Sequence, residues 1–190
     1  MSKKLSEMTN EELWQLFPII IKEYNPEYPA WYKEEKNCIM SVLPPEWVER
    51  ISHIGSSAVS DLPGKPTVDI LMEISAACDT EKLISLLVDT GYRFSPQPTN
   101  PPPHMMFNKG YTEQGFAPRV FHLHVRYRGD WDEPYFRDYL RTHPAVAQEY
   151  ARLKLSLKTQ FEHDRDAYTR AKGDFIKHHT AMARNTQKKA

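Results

Sequence analysis

The chain lacks several things that would each narrow its role. It has no net charge, with 25 basic residues against 25 acidic ones among 190, so no overall field draws it to nucleic acid or a membrane surface. It has only two cysteines, Cys38 and Cys78, in unrelated contexts without metal-ligand spacing, which excludes a disulfide framework and a cysteine zinc site. It has no eighteen-residue apolar run and nothing resembling a cleavable signal. Together these absences describe a soluble protein of a reducing, cytoplasmic compartment, with no nucleic-acid or membrane partner expected and an open oligomeric state. What is abundant is proline, 15 residues, several of them in "SPQPTNPPP", a stretch read as a loop because proline fits neither a helix interior nor a central strand.

The length suits one compact unit with a real core. Thr9 and Glu12 form a capping-box pattern ahead of a short helix. A second helix is expected from about Pro29 to Leu43, with Trp31, Cys38, Ile39 and Val42 on one face. Residues 47–54 read as a first strand, ended by Gly55 and Ser56. "TVDILMEI" is the clearest strand, with Val68, Ile70, Met72 and Ile74 on one face and Asp69, Leu71 and Glu73 on a more polar one. Asp79 or Thr80 caps a helix that Gly91 ends. "HMMFN" and "RVFHLHVRY" suggest an antiparallel hairpin around the turn-rich "KGYTEQGFAP", with His122, His124 and Arg126 sharing a face. The last third reads as helical. Pro144 fits a first turn, Asp164 caps a helix carrying Arg165, Tyr168 and Lys172 on one side, and the tail "ARNTQKKA" is expected to fray.

Several constellations bear on chemistry. A Gly55–Ser56 turn after a strand can offer backbone N–H groups and a hydroxyl to a phosphate, or it is an ordinary turn with Ser56 as cap. Asp69 can hold Mg²⁺ beside a triphosphate, or it is a solvated residue at a strand edge. His122 and His124 can share one metal ion, or they line a cleft wall beside carboxylates; if their strand lies next to that of Asp69, the three side chains converge. Lys65 follows a turn and can reach a phosphate as a point charge, or it is a surface lysine. Lys154, Lys158, Arg165 and Lys172 can present cations to an anionic ligand or form a mixed-charge helix face. Arg137 holds an ion pair or a substrate contact, and Tyr168 stacks on a base or packs between helices.

In order along the chain, "HIGSSAVSDLPGKPTVDILMEI", "FHLHV", "FRDYLRTHPAVAQEYARLK" and "YTRAKGDFI" closely resemble the GrpB family, a group assigned to the nucleotidyltransferase fold. The resemblance runs from about Tyr24 to Ile176, and the family occurs in some lineages fused to dephospho-CoA kinase. It implies an α+β fold: a nucleotidyltransferase-like mixed β-sheet core over about 24–128, packed with helices, and a helical C-terminal part over about 133–182, all in one domain of residues 1–190.

The resemblance also implies a site. The superfamily pattern is a Gly-Ser turn, then a strand with two alternating acids, then a third acid on a neighbouring strand. Gly55, Ser56 and Asp69 match; Leu71 stands where the second acid belongs, and His122 or His124 where the third does. Glu73 is a poor replacement, because four residues along a strand is about 13 Å. Asp69, Ser56 and Lys172 are expected to carry catalysis. Gly55, Ser56, Ser57, Lys65, Arg137, Lys154, Tyr168 and Lys172 are expected to bind substrate, and Asp69, His122 and His124 a divalent metal (Mg, Mn or Zn). Nucleotidyl transfer ordinarily uses two Mg²⁺ ions, and imidazole ligands favour transition metals instead. The expected partner is a nucleotide or another small phosphorylated molecule. Metal-dependent nucleotidyl transfer, an inactive binding module, and different transition-metal chemistry are the three readings.

Overall fold

The computed structural model describes residues 3–97, 99–100 and 103–187. Its seven α-helices among those residues are α1 (Asn10–Leu16), α2 (Tyr28–Val42), α3 (Thr80–Asp89), α4 (Asp132–Thr142), α5 (Pro144–Phe161), α6 (Arg165–Ala171) and α7 (Gly173–Gln187). The strands are β1 (Val48–Ile54), β2 (Val68–Ile74), β3 (Arg93–Pro96), β4 (Met105–Thr112) and β5 (Gly115–Tyr127). They form one sheet in the order β1-β2-β5-β4-β3. β2 and β5 run parallel and every other pair is antiparallel. This is the α+β class with a mixed sheet and flanking helices that the resemblance implies.

Three helices begin where their caps predict. The Thr9 hydroxyl accepts from Glu12 N while the Glu12 carboxylate accepts from Thr9 N, Asp79 accepts from Lys82 N, and Asp164 accepts from Ala167 N; each satisfies an N–H that the first helical turn leaves unpaired. One sheet face packs against α2 and α3, where Ile70, Met72, Leu123, Val125 and Phe107 meet Tyr28, Ile39, Leu83 and Leu87. The opposite face lies beneath the C-terminal helices. That second cover buries what alternation alone presents as a polar face of β2: Leu71 and Glu73 are both 0% exposed. Glu73 tolerates this because Arg50 ion-pairs with it and Gly129 N donates to it at 3.2 Å, which also ties its carboxylate at the far end of the strand from Asp69. On α2 the buried residues are Tyr28, Glu35 and Ile39, and Glu35 is held by Lys109 at 2.9 Å.

Four sequence expectations need correction. "SPQPTNPPP" is not wholly loop, since Ser95 and Pro96 complete β3 at the sheet edge, where a missing N–H is tolerated; Pro98, Pro101 and Pro102 lie outside the described residues. The segment expected as a broad turn is mostly strand, because β4 runs to Thr112 and β5 starts at Gly115. The helix capped by Asp164 divides at Lys172 into α6 and α7, next to Gly173, a weak helix former. The tail is helical to Gln187, with Ala183 buried and Arg184 ion-paired to Asp130 and Asp132; residues 188–190 lie outside the described set.

Candidate anion-binding site

β1 ends at Ile54, whose register partner on β2 is Asp69. Gly55 then adopts φ +70° and ψ −169°, a region almost closed to residues with a side chain. A Cβ there would lie 2.5 Å from Asp69 Oδ2, so the turn is laid directly against the carboxylate. The helix-cap reading of Ser56 does not hold, because Gly55 occupies the cap position of the 3₁₀ turn Ser56–Ala58 and no side chain caps it. Ser56 Oγ instead accepts from Lys154 Nζ at 2.8 Å, and the same ammonium donates to the carbonyl of Pro63. Gly64 packs beneath this pair, where a Cβ would stand 2.7 Å from Ser56 Cβ.

Parallel pairing sets His122 beside Asp69 and His124 beside Leu71. His122 Nδ1 donates to Asp69 Oδ1 at 3.1 Å. Its Nε2 faces the Tyr111 hydroxyl at 2.7 Å and Arg165 at 3.3 Å, and Arg165 also donates to the Tyr111 oxygen at 2.8 Å. A neutral ring with its proton on Nδ1 satisfies all of these contacts. Burial pushes His122 down to about 4 despite Asp69 beside it, consistent with that neutral form. Burial alone would raise the Asp69 carboxyl, but the His122 hydrogen bond and nearby Lys65 hold it well below the usual carboxylate range.

Tyr111 reaches this row through an irregularity. The β4–β5 register shifts between Lys109 and Tyr111, and Gly110 between them has φ +91°, with no room for a Cβ against the Arg119 carbonyl. Such a bulge adds a residue and re-aims the side chains beyond it, so Tyr111 joins the face that carries Asn108 and His122. Sequence patterning places Tyr111 in a turn and so misses it; a bulge-forming glycine between two strand-like runs is the signal that could have found it.

Around this row lies a cavity of about 460 Å³ whose walls include Gly55, Ser56, Lys65, Asp69, His122, His124, Arg137, Lys154, Tyr168 and Lys172. Every candidate residue except Ser57 and Lys158 is therefore gathered here. Ser57 turns away, buried, with its hydroxyl 3.0 Å from His53 Nε2, because a tight turn sends successive side chains in different directions. Lys158 is also absent, pairing with Glu162 at 3.8 Å on the exposed side of α5. Arg137 lines the wall with part of its guanidinium committed, bidentate to Asp138 and donating to the His53 carbonyl at 2.9 Å.

The charge balance of the cavity is uneven. Of its acids, Asp132 pairs with Arg184 and Glu133 with Arg126, which leaves Asp69 facing Lys65, Lys154, Arg165 and Lys172. Among the described residues Lys65 Nζ makes no hydrogen bond or ion pair, and Lys172 Nζ rests only over the Tyr168 ring, 4.3 Å from its centroid. Burial, reinforced by Arg165 and Lys172, brings Lys65 down to about 7; burial and Lys172 bring Lys154 to about 7. Burial brings Lys172 to about 8, with Asp69 opposing and Arg165 adding. Ammonium groups crowded in this way are eased by an anion.

The donor set fits a pair of hard cations poorly. Asp69 Oδ1 already accepts from His122, both His122 nitrogens have partners, and the position of the second acid is the buried Leu71. Among the described residues no group of three or more His, Cys, Asp or Glu side chains is placed to hold a metal ion, and no helix is long and apolar enough to cross a membrane.

A family model described as GrpB protein matches residues 18–182. A UPF0157 protein of Pseudomonas aeruginosa is 35% identical over 153 residues, which cover 80% of this chain and 62% of that protein. The chain thus spans less than two thirds of that relative's length. The crystal structure of the conserved protein GrpB from Enterococcus faecalis superimposes with a TM-score of 0.75 at 26% identity, covering 88% of this chain and 99% of that one. An RNA terminal uridylyl transferase shows a fainter likeness, with a TM-score of 0.47 at 12% identity over 78% of this chain and 44% of that one.

Proposed function

The chain belongs to the GrpB family, and from that premise we propose that it binds a small phosphorylated molecule, with its phosphates seated on the Gly55–Ser56 turn and clasped by Lys65, Lys172 and Arg165. The observation that carries this reading is the pair of lysine ammonium groups, Lys65 and Lys172, left without an anionic partner in the walls of one cavity. A cation partly withdrawn from water without an ion-pair partner is costly, and an incoming phosphate supplies one. Lys154 supports the turn through Ser56 and Pro63, and the Arg165–Tyr111–His122–Asp69 chain fixes the floor. Phe136, Leu140, Tyr150 and Ile176 give the cavity an apolar wall.

Binding of inorganic tripolyphosphate by calorimetry tests this. In EDTA, the wild-type protein is expected to bind, and Lys65→Met and Lys172→Met each to weaken binding at least tenfold. No binding by the wild type, with or without metal, overturns the proposal. A second reading, nucleotidyl transfer, is favoured by the contact between the Gly55 turn and Asp69, the part of the transferase pattern that is intact. Binding that requires Mg²⁺, Mn²⁺ or Zn²⁺, is lost in Asp69→Ala, and comes with pyrophosphate release from a nucleoside triphosphate would favour that reading.

A further inference from the structure

A straight polar row crosses the sheet away from the phosphate cavity. Asp69 pairs with His122, His122 with Asn108, and Asn108 with Arg93. Directly opposed residues on neighbouring strands project to the same face, so these four side chains share one side. The row leaves the cavity at His122 and enters a second hollow of about 250 Å³, whose walls include Arg93, Asn108, Phe94, Trp14 and Arg165. Among the described residues no acid lines that hollow. Arg165 and Tyr111 belong to both neighbourhoods, Arg165 as a wall of each cavity and Tyr111 through its bond to His122. Asn108 stands two strand spacings from Asp69, about 10 Å, within the reach of one extended small molecule.

Two features define what the hollow would accept. The Asn108 amide and the Arg93 guanidinium make no hydrogen bond or ion pair among the described residues, so one donor–acceptor edge and one donor fork are free. Trp14 supplies flat apolar surface beside them, while the Phe94 ring lies on the other sheet face against Phe107. Part of the wall, Leu5, Leu13, Trp14 and Phe17, comes from the stretch ahead of residue 18, where the family match begins. That stretch is tied to the site through Phe17, whose ring packs edge-on to Tyr111 with centroids 4.8 Å apart.

We propose that this second hollow is the subsite for a planar heterocyclic ring, the base-like end of the phosphorylated ligand, with Asn108 and Arg93 bonding the ring edge and Trp14 covering one of its faces. It rests on the phosphate-binding reading above. The test compares dissociation constants for tripolyphosphate and for the four common ribonucleoside triphosphates, in wild type, Asn108→Ala, Arg93→Ala and Trp14→Ala, with melting temperatures confirming folding. The readout is the ratio of the two constants within each protein. In the wild type at least one nucleotide is expected to bind tenfold or more tighter than tripolyphosphate, and this preference should fall to threefold or less in Asn108→Ala and Trp14→Ala. If one of those variants fails to fold, Arg93→Ala at the exposed sheet edge carries the test. Tripolyphosphate binding with no preference for any nucleotide, or a preference that survives the folded variants, overturns the ring subsite while leaving the phosphate site standing. Failure to bind either class removes both.

Discussion

Gly55→Ala isolates the feature on which the site is built. The perturbation adds one methyl group at a residue with φ +70° and ψ −169°, a conformation that costs about 1–3 kcal/mol for a residue with a side chain. The methyl would also stand 2.5 Å from Asp69 Oδ2 and 3.1 Å from Asp69 Cβ, an overpacked contact of a kind that costs about 1–3 kcal/mol. Together the two effects predict roughly 2–6 kcal/mol, a large part of the stability of an ordinary domain. Urea denaturation followed by circular dichroism measures the loss, provided both proteins give the same m-value. Repeating the substitution in an Asp69→Ala background separates the causes. The carboxylate contact is then gone, the backbone penalty remains, and the Gly55→Ala cost should fall by about 1 kcal/mol or more, the scale of coupling between touching residues. A single-variant loss below about 1 kcal/mol, or the same loss in both backgrounds, would refute the claim that the turn is pressed against the carboxylate.

The crowded lysines predict proton uptake on binding. With Lys65 and Lys154 near 7 and Lys172 near 8 in the free protein, a bound phosphate raises all three, so calorimetry at pH 8 in buffers of different ionisation enthalpy should show protons taken up, and affinity should fall as pH rises from 7 to 9; an uptake of zero contradicts this. His53 and His122 are both depressed to about 4, chiefly by burial, from an ordinary value of 6.5. A depressed folded value gives stability that is fully present above the unfolded pKa and lost as pH falls, so stability should decline between pH 6.5 and 4, and a His53→Gln, His122→Gln double variant should show a flatter profile across that window. Lys154→Met should cost about 1–3 kcal/mol by leaving the Pro63 carbonyl without its donor, read as a lower urea midpoint; an unchanged midpoint would mean that the carbonyl is satisfied without Lys154.

Much of the architecture is legible in the sequence because local chemistry and tertiary structure agree. Thr9, Asp79 and Asp164 are polar caps whose bonds are made within three residues, so sequence spacing contains the whole interaction. The pairing of "TVDILMEI" with "FHLHV" can be stated from sequence only as a condition, since nothing within either strand specifies which neighbour it takes. Ser57 groups with its neighbours in sequence because adjacency does not say which side chains of a tight turn face the same way. Tyr111, Asn108 and Arg93 escape a sequence reading for a related reason. Their placement in one row comes from cross-strand register and from the Gly110 bulge, both long-range properties, whereas period-2 reading works along a single strand.

The departures from the transferase pattern gain a physical meaning when the helices are considered with the sheet. A site with two or three carboxylates attracts divalent cations, and lysines nearby would be held charged by those acids. Here β2 offers the single carboxylate of Asp69, already bonded to His122, and Leu71, β5 offers a neutral imidazole, and α5 and α6 with their junctions still direct Lys154, Arg165 and Lys172 inward, joined by Lys65. The same four groups proposed to hold a phosphate would repel an approaching metal ion, and the lysines among them are depressed chiefly by burial, with Arg165 adding to it. Restoring a carboxylate therefore tests the balance directly. Leu71→Asp places an acid at a fully buried position beside His124, and its charge would have to be met by the lysine cluster. If the folded variant binds tripolyphosphate more weakly in EDTA and gains a response to Mg²⁺, the exchange of acids for imidazole and leucine is what makes the cavity an anion site. Unaltered tripolyphosphate affinity in that variant would show that the lysines act independently of the sheet, and the link between the two would be wrong.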